Sequence, residues 1–270
     1  MGASSDIDRV GWTKGALGGE VIPPNLACDK AVIKPIYLLM ASRVFAFFLC
    51  AGLSLMADPP RKMTLAFSDD FTGPQVDAKK WTVLASSPAS TVTLRDGKLV
   101  LGITQENGTW KGGVLTSKDL FEQSQGYFEI SAKMGAFPGH HFGFRLLPPD
   151  KKEMYSEIYV IEAFGADSLI TWIRYNDGKA LRDEKPLAPL KPFSVEGLSS
   201  SKFNTYGLLW RDREYTWYIN GKEVYTTKKG LTKDRLCISL VHTVSEFELP
   251  KLDPAKLPDD IQVDWVKAWK

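Results

Sequence analysis

From Lys62 onward, apolar and polar positions alternate in short runs separated by turn residues. That is the pattern of strands whose successive side chains point to opposite faces. Thr91–Arg95 and Lys98–Thr104 flank Asp96-Gly97, and Tyr215–Ile219 and Lys222–Thr226 flank Asn220-Gly221. Both dipeptides favour two-residue hairpin turns. Further strands are predicted at Gly126–Met134, Phe142–Leu147, Glu157–Phe164, Leu169–Tyr175, Thr205–Trp210, Leu236–His242 and Ile261–Trp269. Alternation places Phe128, Ile130, Ala132 and Met134 on one face of their strand, and Phe142, Phe144 and Leu146 on the core face of theirs. Opposite the latter stand His141, Gly143 and Arg145. Cys237 falls in an apolar strand and reads as a small core residue. The Pro- and Lys-bearing segment Lys185–Glu196 reads as a long loop beside a cleft. No stretch of this region holds a helical period, so the fold expected is all-β, a sandwich or barrel.

One predicted strand carries chemistry. In Glu157-Ile-Tyr-Val-Ile-Glu162 two carboxylates bracket β-branched and aromatic residues. Burying an unpaired charge is costly, so a strand that keeps two of them points to acid/base work in a cleft. The spacing of five would send the glutamates to opposite faces of a regular strand. A β-bulge between them absorbs one residue and restores a common face.

The N-terminal region differs. Residues 1–39 lack periodicity and read as an unstructured upstream extension. Met40 and Arg43 precede the apolar run Val44–Ala57, which ends before Asp58-Pro59-Pro60. That order matches a secretory signal peptide over 40–57 and is too short for a stable membrane span. A secreted or periplasmic protein whose single domain covers 58–270 is therefore expected. The net charge of +2, with Lys and Arg scattered, gives no polyanion-binding stripe, so nucleic acid is not an expected partner. Cys28, Cys50 and Cys237, with His140, His141 and His242, match no metal or redox spacing. No metal and no cofactor are expected.

Several short segments resemble glycoside hydrolase family 16, the laminarinases and β-glucanases with a concanavalin A-like jelly roll. The resemblance covers about 64–270. Phe67-Ser-Asp-Asp-Phe71 with Trp81 resembles the opening strand, and Gly113–Lys118 with Gly126–Ile130 the approach to the cleft. Tyr206–Trp210 with Trp217–Lys222 resembles a Trp-bearing hairpin, and Val263-Asp-Trp-Val266 the last strand. The resemblance implies an all-β β-sandwich jelly roll and retaining hydrolysis of a polysaccharide. It makes Glu157 the nucleophile and Glu162 the acid/base. Such a pair stands about 5–5.5 Å apart, with Glu157 ionised and Glu162 able to hand a proton to the leaving oxygen. A monomer acting on a β-linked glycan is expected.

The chain departs from the family motif Glu-x-Asp-x-x-Glu at Tyr159, which stands where the Asp belongs. His141-Phe-Gly-Phe-Arg145 replaces a Trp-Pro-Ala-Phe-Trp segment, and Thr243–Glu246 a Gly-Gly-Trp segment. Trp172, Trp210 and Trp110 are candidate sugar-stacking residues, and Arg145 and His141 candidate polar contacts. Arg145 and Arg174 could also meet an acidic glycan. Three readings stay open: a retaining glycosidase, a catalytically impaired carbohydrate-binding jelly roll, and a site in which Tyr159 is the nucleophile.

Overall fold

The computed structural model describes residues 63–150, 156–164, 169–190, 198 and 201–270, with backbone alone for 185–190. The expected extension, signal peptide and domain start at 58–62 lie outside these residues. Among the described residues the strands are, in chain order, β1 (Leu65–Asp69), β2 (Thr82–Val83), β3 (Val92–Arg95), β4 (Lys98–Leu101), β5 (Ile103–Glu106) and β6 (Thr109–Thr116). Then come β7 (Glu122–Gln123), β8 (Gly126–Lys133), β9 (His141–Leu147), β10 (Glu157–Ala163), β11 (Leu169–Asn176) and β12 (Leu181–Leu190). The last five are β13 (Asn204–Arg211), β14 (Glu214–Ile219), β15 (Lys222–Thr227), β16 (Leu236–Thr243) and β17 (Ile261–Trp269). No helix among the described residues is long and apolar enough to cross a membrane.

The strands form two antiparallel sheets. One runs β15-β14-β13-β8-β17-β4-β3, with β1 also on β17. The other runs β12-β11-β10-β9-β16-β6-β2, with β5 on β6 and β7 on β16. This is the all-β jelly-roll sandwich that the alternation and the family resemblance pointed to. The two hairpin dipeptides turn as their chemistry demands. Asp96 and Gly97 have φ of 55° and 67°, and Asn220 and Gly221 of 48° and 74°. Two consecutive left-handed residues match the twist of the flanking strands, and Asn, Asp and Gly reach that region at low cost.

One core fills the space between the sheets. Phe128 and Ile130 of β8, and Phe144 and Leu146 of β9, are fully buried there. The outer face of β8 is covered as well. Tyr127 donates to Glu129 at 2.8 Å, and both are buried. Two expectations need correction. The span 185–190 is strand rather than loop: it belongs to β12, the edge strand of its sheet. Pro186 and Pro189 are compatible with that edge, where a missing N–H costs least, and the β11–β12 register shifts twice. The rest of the predicted loop, 191–196, lies outside the described residues. Cys237 is buried but lies opposite the core residues Leu236 and Ile238, on the outer face, beside Thr116 at 3.7 Å.

The sandwich is tied across its middle at β10. Against β11 the register moves from Tyr159↔Trp172 to Glu162↔Ile170, so three steps on β10 face two on its partner. Against β9 the same shift falls between Tyr159 and Ile161. A bulge interrupts the ladder here, and the Tyr159 carbonyl accepts a 3.1 Å hydrogen bond from the indole N–H of Trp217, which reaches across from the other sheet.

Two outcomes follow for stability. Trp217 and Trp210 are both at most 1% exposed, but the Trp210 N–H has no protein partner among the described residues. Trp217→Phe should therefore cost about 1–2 kcal/mol more than Trp210→Phe in urea unfolding, because it also leaves a buried carbonyl unpaired. Equal costs would remove the bond from the account. The second outcome concerns Glu129, whose pKa burial pushes up to about 7 despite the Tyr127 hydroxyl. A carboxyl with a folded pKa above its unfolded value favours folding when protonated, so stability falls as pH rises from about 4.5 to about 7. Glu129→Gln should stabilise the protein at pH 8 by on the order of 1–3 kcal/mol and change little at pH 4. Thermal melts at both values check it.

Candidate active site

The bulge decides which side chains of β10 face the core and which face outward. Ile158, Val160, Ile161 and Ala163 all join the core, each no more than 2% exposed. Val160 and Ile161 are consecutive, which a regular strand forbids and the extra residue permits. Glu157, Tyr159 and Glu162 are left together on the outer face of the nine-stranded sheet.

Strand pairing assembles the site in rows. Ser239 of β16 faces Arg145 of β9, Arg145 faces Tyr159 of β10, and Tyr159 faces Trp172 of β11. In the next row Val241, Gly143 and Glu162 stand abreast. Glycine at 143 makes room for the aromatic residue at the motif position: a Cβ there would lie 3.2 Å from the Tyr159 ring. That ring lies flat on Trp172, with centroids 4.4 Å apart and planes 14° from parallel.

The two glutamates keep different company. Glu157, 4% exposed, accepts from Arg145 Nη1 at 3.2 Å. The same Nη1 donates to the Tyr159 hydroxyl at 3.2 Å. Burial pushes the Tyr159 hydroxyl well above the usual tyrosine range, with Arg145 pulling the other way, so it stays neutral at ordinary pH. Glu162, 8% exposed, is held at both oxygens. Its Oε2 accepts from the Trp172 indole N–H at 2.7 Å, and its Oε1 lies 2.7 Å from His141 Nε2. The His141 ring stacks on Phe164, which in turn touches Phe247 at 5.1 Å. A cavity of about 430 Å³ opens beside Arg145, with Lys118, Thr116, Ser239 and Cys237 in its lining.

Four of the residues singled out in the sequence therefore meet the two glutamates: Tyr159, Arg145, His141 and Trp172. Two do not. Trp210 lies on the inner face of β13, 1% exposed and stacked on Phe128. It shares that face with Tyr206 and Leu208, two and four residues earlier, so it cannot stack on a sugar. Trp110 sits half-buried on the β5–β6 hairpin, and no hydrogen bond or ring contact of the described residues links it to either glutamate. Trp172 differs in role from the expectation, since its ring already stacks on Tyr159 and its N–H serves Glu162. Arg174 is bound to Asp183 at 2.9 and 3.2 Å. Gly143 and Trp217 were missed. A glycine inside a strand pattern signals close approach, but Trp217 gave no cue to its partner. Among the described residues no group of three or more His, Cys, Asp or Glu side chains could hold a metal ion.

Known proteins resemble this chain in sequence or in fold. Endo-1,3-1,4-beta-glycanase ExsH of Rhizobium meliloti (strain 1021) is 34% identical over 114 residues, 41% of this chain and 23% of that protein. Endo-1,3-1,4-beta-glycanase EglC of the same organism is 25% identical over 182 residues, 66% of this chain and 37% of that protein. The chain thus matches well under half the length of either relative. The laminarinase catalytic domain from Thermotoga maritima MSB8 superposes with a TM-score of 0.65 at 18% identity, covering 77% of this chain and 98% of that one. It shares the fold. The sequence model of glycosyl hydrolases family 16 matches residues 78–267, most of the described domain, and the chain belongs to that family.

Proposed function

We propose that this protein is a retaining hydrolase of β-linked glucan, with Glu157 as nucleophile and Glu162 as acid/base. The observation that carries the reading is the bulge in β10, which gathers two glutamates with unlike partners on one sheet face. Arg145 sets a positive charge against Glu157 Oε1, which suits a carboxylate that must attack as an anion. Glu162 stands between an imidazole nitrogen and an indole donor. In the first step a Glu157 oxygen bonds to the anomeric carbon while the glycosidic bond breaks and its oxygen takes the Glu162 proton. In the second step Glu162 takes a proton from water, which attacks the same carbon and releases Glu157. The motif Asp is not needed to hold the nucleophile, because Arg145 reaches both Glu157 and Tyr159. A cavity of sugar size opens beside Arg145, the ion-pair partner of Glu157, although neither glutamate lines it. The apolar run at Val44–Ala57 supports export before the enzyme meets its glucan, and N-terminal sequencing of secreted protein tests that part.

A second reading, a glycan-binding domain with impaired catalysis, draws on one observation: the nucleophile position is 4% exposed and ion-paired. A third, with Tyr159 attacking, is opposed by the neutral, Arg145-bonded hydroxyl.

Assays on β-1,3- and mixed-linkage β-1,3-1,4-glucan separate the three. Under the main reading Glu157→Gln loses about 10⁴-fold or more in kcat, and proton NMR shows products of retained configuration. Glucan binding by wild type with no turnover would select the second reading. Tyr159→Phe keeps the stack on Trp172 and should stay within about a hundredfold of wild type, because it removes a single hydrogen bond, the one from the Arg145 cation. A collapse comparable to Glu157→Gln would instead favour Tyr159 as nucleophile.

A further inference from the structure

The donor chemistry around Glu162 says more than its assignment as acid/base. An indole N–H donates and never accepts. Trp172 Nε1, at 2.7 Å, therefore claims Glu162 Oε2 as an acceptor. A proton carried by this carboxyl is best placed on the other oxygen, Oε1. That oxygen is the one 2.7 Å from His141 Nε2, a distance that requires one proton between the two atoms. Two forms satisfy it: a neutral carboxyl donating to the imidazole, or a carboxylate accepting from an Nε2–H.

We propose that His141 is a positioning residue that shares the acid proton of Glu162, and this rests on Glu162 being the acid/base. The resting proton lies between Oε1 and Nε2. When a glycosidic oxygen arrives at Oε1 it displaces the imidazole, the proton stays on Oε1, and it passes to the leaving oxygen as the C–O bond breaks. The proton taken from water in the second step restores the shared state. The Phe164 stack, at 5.1 Å and 29°, holds the imidazole in line for this exchange.

Among the described residues the surroundings of His141 carry few other charges. On β10 it faces Glu162 and the neutral Tyr159, whose ring is 6.4 Å away. On β16 its neighbour across the strands is Thr243. His140 and His242 flank it in the chain and the sheet, but they are bonded to each other at 3.1 Å, and His242 reaches Leu101 in the interior. His140 in turn meets Asp259 at 3.5 Å. Arg145 and Glu157 lie beyond Tyr159. The proton thus has two homes, Glu162 and His141.

Two coupled sites give up their last proton at a higher pH than the carboxyl alone would. The alkaline limb of the kcat/KM profile reports that loss. His141→Phe keeps a ring on Phe164 but removes the base, and His141→Gln keeps a donor to Oε1 but cannot titrate. Both should move the alkaline limb toward acid, and should slow glucan about 10²-fold while sparing an activated dinitrophenyl β-glucoside that needs no protonation. A merely structural role predicts rescue by Gln, and restoration of the wild-type profile in His141→Gln would overturn the proposal. Nitrogen-15 NMR gives a readout apart from turnover. The His141 titration curve should differ between wild type and Glu162→Gln; identical curves would overturn the shared proton. A coupled titration in a wild type that cleaves no glucan would support the pair while overturning the hydrolase reading.

Discussion

Everything distinctive about this site depends on one extra residue in β10. Strand periodicity is unforgiving: one step moves a side chain from interior to exterior. Placing Val160 and Ile161 side by side in the core costs a break in the ladder, and a broken ladder leaves a backbone group seeking a partner in a dry interior. Trp217, from the opposite sheet, supplies its indole to the Tyr159 carbonyl. The core thereby fixes the irregularity, and the irregularity fixes which carboxylates share a face. Packing and chemistry are joined at a single carbonyl.

The outer face answers the loss of the motif Asp with a different set of contacts. Tyr159 does not occupy that role atom for atom. It lies down on Trp172, over the gap that Gly143 leaves, and its hydroxyl joins Glu157 on one guanidinium nitrogen. The stack brings the Trp172 indole to Glu162. One continuous path of contacts runs Glu157–Arg145–Tyr159–Trp172–Glu162–His141. A substitution anywhere on it will be felt by both glutamates, so effects within this path will not add.

Much of the fold was legible because its signals are local. Asp96-Gly97 and Asn220-Gly221 announced their hairpins, and alternation placed Phe128, Ile130, Phe144 and Leu146 correctly in the core. The need for a bulge followed from parity alone. What failed were the inferences that needed register or context. Trp210 sits in phase with Tyr206 and Leu208, and that phase, rather than its ring, decides that it faces the core. Pro186 and Pro189 looked like loop residues, whereas an edge strand accommodates both. Cys237 has apolar neighbours yet belongs to the outer row with Ser239 and Val241. The companions of Glu162 come from β9 and β11, and no sequence spacing records that those strands flank β10.

The bulge also changes what kinds of genetic accident this strand can survive. Removing one residue from an ordinary half-buried strand turns everything downstream of it inside out. Here, loss of Val160 would shorten the interval between the glutamates from five to four, which is again an even count on a regular ladder, and both carboxylates would keep their face. A one-codon deletion at this point would alter spacing and tilt without inverting the strand. The bulge therefore makes the spacing of the two glutamates, five residues or four, a change that the sandwich can absorb without turning either carboxylate inward.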